Sequence, residues 1–217
     1  MLRFQLFGFP VRIEWTFWIL CLILGMSFLQ QPGSEALGKF VLLAAIVTGS
    51  ILVHELGHAY ARKQCGAPYS ELILHNFGGL CTGPGQFSRG QTIWIAGAGP
   101  LASITLGCLA GLLVFTPGAS ENIWLKFFVA QMIWVNIGWA ILNLLPIFPL
   151  DGGQIAAAAA GPQHYRTVLW VGVVLAGLIA VLVLALIGRG SLFSAVLFGM
   201  LAYSNWQRLK GNSGALF

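Results

Sequence analysis

Charged side chains are scarce in this sequence. They make up 8% of the 217 residues, whereas apolar residues make up 58%; an ordinary soluble domain carries roughly 25% charged residues. This scarcity excludes a typical soluble domain and predicts a polytopic membrane protein, because a transmembrane helix needs about 20 predominantly apolar residues. Six stretches approach or reach that length, at approximately residues 13–29, 40–60, 93–116, 123–148, 167–188 and 191–206.

Only short linkers separate these stretches, and neither end of the sequence contains a recognisable soluble module. We therefore expect one all-α transmembrane domain over residues 1–217. Arg3 and Arg12 precede the first apolar run, as basic residues do in a signal peptide, but no small-residue cleavage pattern follows, so we expect an uncleaved first helix. Glycines in the third stretch predict close packing between helices; they are Gly97, Gly99, Gly107 and Gly111.

Two segments have the residue content of β-strands. Residues 3–13 alternate imperfectly and contain Gly8 and Pro10, which is typical of a short edge strand. Residues 71–77, ELILHNF, predict a second strand, and the following GGLCTGPG predicts irregular structure because of its glycines and Pro84. We expect these segments to form a short β-strand or hairpin element at the cytosolic surface of the membrane.

The 11 basic residues are scattered along the chain and form no patch, so we expect no nucleic-acid partner. Their distribution predicts topology instead, because cytosolic segments of membrane proteins are enriched in Lys and Arg. With both termini in the cytosol, eight basic residues lie inside and three outside, namely Arg3, Arg12, Arg62, Lys63, Arg89, Arg166, Arg208 and Lys210 against Lys39, Lys126 and Arg189. A minimal six-helix protein suits the plasma (inner) membrane of a prokaryote.

Acidic residues and histidines are also few, at six and four, yet three of them lie in the pentapeptide HELGH, residues 54–58. His54 and His58 project from the same helical face one turn apart, so both imidazoles can reach one ion. Glu55 lies about 100° around the helix from His54, where it can address a water on that ion without being a ligand. The pattern predicts the zinc-binding HExxH arrangement; the alternative is a chance pattern of buried structural side chains.

A hydrolytic zinc site typically has three protein ligands plus water, so a third ligand is required. Gln64 occupies the position where the metzincin pattern has its third histidine. Asp151 is the only aspartate and follows two prolines that break the fourth stretch near its cytosolic end, which makes it the best-placed candidate. Its alternative role is to cap a helix that begins near Gln154. Less attractive candidates by residue type are Glu71, His75 and Glu121.

Two motifs together resemble a known family. HELGH and the later NLLPIFPLDGG, residues 143–153, resemble the paired motifs of the site-2 protease family of intramembrane zinc metalloproteases. FGFPVRIEWTFW resembles the opening strand and first helix of that family, and AGPLAS resembles its third core helix. The resemblance therefore covers most of the chain.

The resemblance implies one Zn²⁺ per chain, with His54, His58 and Asp151 as its ligands. It implies that Glu55 is the catalytic glutamate, which acts as general base and then as general acid. It also implies a set of substrate contacts, namely Asn143, Phe77, Gly78 and Gly79, of which Asn143 would also stabilise the transition state. The alternative for Asn143 is a buried hydrogen bond between helices.

The sequence departs from the family pattern at two positions. Ser103 stands where the pattern GPxxN commonly has asparagine, which puts a polar contact of the third helix in doubt. Glu14 replaces a frequent histidine in the first segment. Neither a PDZ insertion nor a C-terminal CBS pair is present, so the resemblance implies a minimal form of the family.

The implied function is that of a zinc metalloendopeptidase that hydrolyses a peptide bond in or near a transmembrane segment of a membrane-protein substrate. Its active site would face the cytosolic side of the lipid bilayer. One alternative is a zinc transporter, which would favour metal ligands on several helices and at more than one depth. Another is a catalytically inactive homologue that only binds membrane partners. The sequence leaves the substrate and the oligomeric state open.

Overall fold

The computed structural model describes residues 1–76, 78–118, 121–187 and 192–211. The protein is mostly helical, as the sequence predicts, and it has a small four-stranded sheet in place of the short strand or hairpin that the sequence predicts. Contacts within the chain define two compact units. The first unit comprises Met1–Gln86 and Ala98–Ile141, and the second comprises Phe87–Gly97 and Leu142–Phe217. A single domain over residues 1–217 stays a prediction.

The sheet belongs to the first unit. Its strands are β1 (Leu2–Leu6), β2 (Phe9–Ile13), β3 (Glu71–His75) and β4 (Gly78–Thr82), and they lie in the order β1-β2-β3-β4. The pairs β1–β2 and β3–β4 are antiparallel, whereas β2 and β3 are parallel. One edge of the sheet is therefore β1, and the other is β4.

Two of the strand predictions were wrong in detail. Residues 3–13 form part of a hairpin and not one edge strand, because Phe7 and Gly8 have φ values of 51° and 85° and turn β2 back onto β1. The segment GGLCTGPG is not irregular throughout, since Gly78–Thr82 forms β4. Pairing with β3 outweighs the low strand propensity of glycine here, because strand formation depends strongly on the neighbouring strand.

The described helices are α1 (Phe17–Leu29), α2 (Ala36–Gln64), α3 (Arg89–Gly111), α4 (Ile123–Asn143), α5 (Asp151–Ala160), α6 (Tyr165–Ile187) and α7 (Leu192–Leu209). The fourth apolar stretch was expected to continue to residue 148, but α4 ends at Asn143. Pro146 and Pro149 lack the backbone N–H that a helix requires, so a turn over residues 144–150 separates α4 from α5.

Four helical segments are long and apolar enough to cross a membrane, namely Ala36–Gln64, Arg89–Phe115, Ile123–Asn143 and Pro162–Leu186. The predicted count of six spans is therefore not confirmed for the described residues. α1 is apolar but has 13 residues, which at 1.5 Å per residue extend only about 20 Å. α7 carries polar residues along its second half and does not meet the same criterion. These helices support a multi-pass membrane protein.

The packing of each unit fixes one part of the predicted site. In the first unit, α2 packs against α1 and against strands β3 and β4. In the second unit, α6 and α7 pack along each other, and their buried cluster contains Ile147, Ala176, Phe198 and Leu201. Because Ile147 belongs to the 144–150 turn, this core anchors the segment that precedes Asp151.

Candidate metal centre

The HELGH side chains are buried within the first unit. Only 3% of His54, 4% of Glu55 and 8% of His58 is exposed. The Nε2 atoms of the two histidines are 3.2 Å apart. Two nitrogens that bind one tetrahedral zinc at about 2.05 Å would be separated by about 3.3 Å. The histidine pair therefore has the separation expected of two ligands to one ion.

A hydrogen bond from α3 orients the ring of His54. Its Nδ1 lies 3.0 Å from the Oγ of Ser103, which is also buried. When Nδ1–H donates to this oxygen, the imidazole lone pair lies on Nε2, and metal-binding histidines commonly use such a partner to fix their tautomer and orientation. The sequence left the polar contact of the third helix in doubt at this position, and the serine hydroxyl makes such a contact.

Two glycines bring backbone against these side chains. A Cβ at Gly99 in α3 would overlap His58 Nε2 and would lie 2.8 Å from His54 Nε2. A Cβ at Gly79 in β4 would overlap the carboxylate of Glu55. Helix packing was the predicted role of Gly99, but the neighbours that need its small size are imidazoles. Sequence reasoning missed this role because a glycine in an apolar helix has no distinguishing signal.

Asp151 belongs to the second unit, where it is buried as the first residue of α5. The N-cap of α5 is Leu150, and no side chain caps this helix, so the capping role considered from the sequence is not observed. A Cβ at Gly152 or Gly153 would overlap backbone atoms of residues 144–148. These two glycines allow α5 to begin directly against the preceding turn, with Asp151 at its start.

His54, His58 and Asp151 form a group that could hold a metal ion, since one ligand atom from each lies within 4.8 Å of those of the other two. Among the described residues, no other three His, Cys, Asp or Glu side chains meet this condition. The alternative candidates Glu71, His75 and Glu121 are thus outside the group. A transporter would favour ligands at more than one depth, and the single group does not favour that alternative.

The remaining predicted residues have varied surroundings. Asn143 is half-buried at the last position of α4. Gly78 opens β4 and pairs with His75 of β3. Phe77 lies outside the described residues. The assignment of substrate contacts to this set stays a prediction.

Arg62 of α2 forms hydrogen bonds to the residues that precede β3 and to those that follow β4. The sequence alone did not predict this role. The residue lies two turns after His54 on the same helix. Its Nε donates to Ser70 Oγ at 3.1 Å, just before β3. Its Nη2 donates to the carbonyl oxygens of Gly83 at 2.7 Å and Pro84 at 3.2 Å, just after β4. One guanidinium thus holds the strand that touches Glu55.

Cys81 of β4 adds a neutral group to the same region. Burial, followed by the nearby Glu55 carboxylate, raises the pKa of the Cys81 thiol to about 12, although Arg62 and Ser70 act in the opposite direction. The thiol is therefore protonated at physiological pH. Because Cys81 belongs to no CxxC pair, its sequence position does not indicate that it lies near Glu55 of α2.

Residues 109–175 match Peptidase family M50. The chain is 28% identical over 215 residues to the protein Rip3 of Mycobacterium tuberculosis. The aligned region covers 92% of this chain and 54% of that protein. The chain is also 30% identical over 162 residues to the zinc metalloprotease MJ0392 of Methanocaldococcus jannaschii. That aligned region covers 74% of this chain and 45% of that protein. The chain therefore spans about half the length of these curated relatives.

A solved structure extends the relationship to the fold. The site-2 protease from Methanocaldococcus jannaschii matches 100% of this chain and 98% of its own chain, with a TM-score of 0.64 and 23% sequence identity. This likeness concerns the architecture, whereas the family match concerns the sequence. The resemblance predicted from HELGH and NLLPIFPLDGG is confirmed, since part of the chain matches Peptidase family M50, the chain is similar in sequence to a zinc metalloprotease, and its fold is that of a solved site-2 protease.

Proposed function

We propose that this chain is an intramembrane zinc metalloprotease of the site-2 type. It hydrolyses a peptide bond in or near a transmembrane segment of a membrane-protein substrate. The observation that carries this proposal is the buried group of His54, His58 and Asp151, together with Glu55 beside the first histidine. The match to Peptidase family M50 supports the same reaction.

The proposed ligands of one Zn²⁺ are His54, His58 and Asp151. Two neutral imidazoles and one carboxylate suit this ion, and three protein ligands leave one tetrahedral position for water or substrate. The 3.2 Å between the Nε2 atoms fits the same ion. When bound, zinc supplies a Lewis acid that lowers the pKa of water and polarises a carbonyl group.

Glu55 is the proposed general base and general acid. Its carboxylate accepts a proton from the attacking water, whose oxygen bonds to the scissile carbonyl carbon. The same carboxyl group then gives the proton to the leaving nitrogen as the C–N bond breaks. The contact with Gly79 keeps this carboxylate beside β4, where the substrate is proposed to bind.

The substrate is proposed to add to the sheet as an extended segment along β4. A transmembrane helix holds its carbonyl groups in internal hydrogen bonds, so local unwinding must precede attack. As an edge strand, β4 can pair with the released backbone by β-augmentation. Phe77, Gly78 and Gly79 are the proposed contacts of this segment, and Asn143 is proposed to hydrogen-bond the substrate or the developing oxyanion.

The proposed setting is the inner membrane, with both termini and the opening of the active site on the cytosolic side. The distribution of eight basic residues on the inner side and three on the outer side supports this orientation, because cytosolic segments are enriched in Lys and Arg. We treat residues 1–217 as one catalytic domain in this proposal.

Replacement of Glu55 by glutamine tests the proposed reaction. The amide cannot accept the proton, whereas the three proposed zinc ligands are unchanged. We expect the purified Glu55→Gln variant to retain one zinc ion per chain and to lose proteolysis. Metal analysis measures the first result, and mass spectrometry of membrane fragments from cells that produce either form measures the second and identifies the substrate.

Glu14→Gln is the matched control, because Glu14 is a partly exposed glutamate to which we assign no catalytic role. This control should yield the same fragments as the unmodified chain. Fragments that accumulate undiminished with Glu55→Gln would refute the assigned base. Zinc passage into vesicles, without any Glu55-dependent fragments, would instead support a transporter.

A further inference from the structure

We infer that Asn205 of α7 is a positioning residue for Asp151. This inference rests on the proposed function, since it concerns Asp151 as a zinc ligand. Asn205 is fully buried, with 0% of its surface exposed. A polar amide in an apolar helix is costly unless its donors and acceptor are satisfied, so its partners identify what the residue holds.

The amide of Asn205 binds both backbone groups of Phe148. Its Nδ2 donates to the Phe148 carbonyl oxygen at 2.6 Å, and its Oδ1 accepts from the Phe148 N–H at 3.2 Å. The second hydrogen of Nδ2 is directed to the carbonyl oxygen of Leu201 at 2.8 Å. One side chain thus binds the backbone of Phe148 as a paired strand would.

The 144–150 turn needs such a partner because it cannot form a regular structure. Pro146 and Pro149 have no N–H to donate. Within the turn, Ile147 N–H donates to Leu145 O at 2.7 Å and Leu150 N–H donates to Ile147 O at 2.9 Å. Phe148 lies within the turn that the second bond closes, three residues before Asp151. Its fixed backbone therefore constrains where α5 begins.

The helices around Asn205 are shaped to hold this amide. A Cβ at Gly172 of α6 would lie 2.9 Å from Asn205 Cγ, so a larger residue there would displace the side chain. Leu201, one turn earlier on α7, belongs to the same buried cluster as Ile147. Packing and hydrogen bonds from α7 therefore converge on the turn that carries Asp151.

The test replaces Asn205 by leucine, which has a similar volume but cannot form either bond to Phe148. We expect the apparent zinc affinity to fall about 10–100-fold, as is typical when an outer-shell partner of a metal ligand is mutated. Chelator competition on the full chain in detergent measures this affinity. Asn205→Asp keeps the acceptor for Phe148 N–H, so its zinc affinity should fall less than that of Asn205→Leu. Ser204→Ala, which removes the hydroxyl of a buried neighbour, should stay within about twofold.

A double-mutant cycle with Asp151→Ala separates positioning from general destabilisation. If Asn205 acts through Asp151, Asn205→Leu should weaken zinc binding in the unmodified chain and have little further effect when residue 151 is alanine. Equal losses in both backgrounds, or unchanged affinity in Asn205→Leu and Asn205→Asp, would overturn the inference alone. Unchanged zinc affinity in Asp151→Ala itself would overturn the proposed ligand set and this inference with it.

Discussion

Replacing Ser103 by alanine should weaken zinc binding without an equal loss of stability in the metal-free protein. The hydroxyl lies 3.0 Å from His54 Nδ1, and its removal leaves that buried nitrogen without this partner. In the metal-free protein, the imidazole can change its tautomer to reduce the cost. Zinc binding to Nε2 removes that freedom, because the proton must then reside on Nδ1.

The expected loss of zinc affinity follows from two independent magnitudes. A buried donor that loses its partner costs about 1–3 kcal/mol. Loss of an outer-shell partner typically weakens metal binding about 10–100-fold, which corresponds to about 1.4–2.8 kcal/mol. Because the two ranges overlap, we expect Ser103→Ala to weaken zinc binding by at least about tenfold.

Chelator competition on purified protein measures the affinity, and thermal unfolding with excess chelator measures the stability of the metal-free protein. Thr105→Val is the matched control, because the Thr105 hydroxyl donates within α3 to Leu101 O at 2.8 Å and not to a histidine. Ser103→Asn, which introduces the residue common in the family, should recover part of the affinity. If Ser103→Ala binds zinc as tightly as the unmodified chain, the assigned role of this hydrogen bond is wrong.

Two further predictions concern the backbone at Gly99, beside the histidine pair, and the protonation of the Cys81 thiol. Gly99→Ala should lower the zinc content measured by metal analysis, because its Cβ would overlap the histidine pair, whereas Gly97→Ala should not, since a Cβ there meets no atom within 4 Å; equal zinc contents would contradict this reasoning. Alkylation of Cys81 should follow a thiol pKa of about 12, and Glu55→Gln should lower that pKa, because a nearby negative charge disfavours the thiolate. Peptide-resolved alkylation rates across pH measure this shift, and an unchanged or higher pKa in the variant would refute it.

The group that could hold a metal ion could be predicted because the chemistry of its residues conflicts with their surroundings. His54, Glu55 and His58 are polar side chains in an apolar stretch, and their spacing fixes their positions on one helix. Asp151 was a candidate because it is the only aspartate and follows two prolines. Such residues are informative from sequence because burying them without a task is costly.

The supporting residues could not be predicted in the same way. Ser103 and Arg62 act through contacts with residues distant in sequence, and neither residue type is unusual at its position. Gly79 and Gly99 resemble ordinary turn or packing glycines until the side chains opposite them are known. The count of six spans is not confirmed for a related reason, since hydropathy does not show that β2 continues to Ile13 and that α1 begins only at Phe17.

If a substrate binds along β4 as proposed, the closeness of Gly79 to Glu55 limits which of its peptide bonds can be cut. Successive carbonyl groups of an extended chain point to opposite sides, so a polypeptide aligned along β4 offers an equivalent bond at every second residue. A slip by two residues moves the chain about 6.8 Å and restores that orientation, whereas a slip by one turns the bond away. Alternative cuts within one target should therefore be separated by even numbers of residues, and the fragment masses would carry this two-residue spacing.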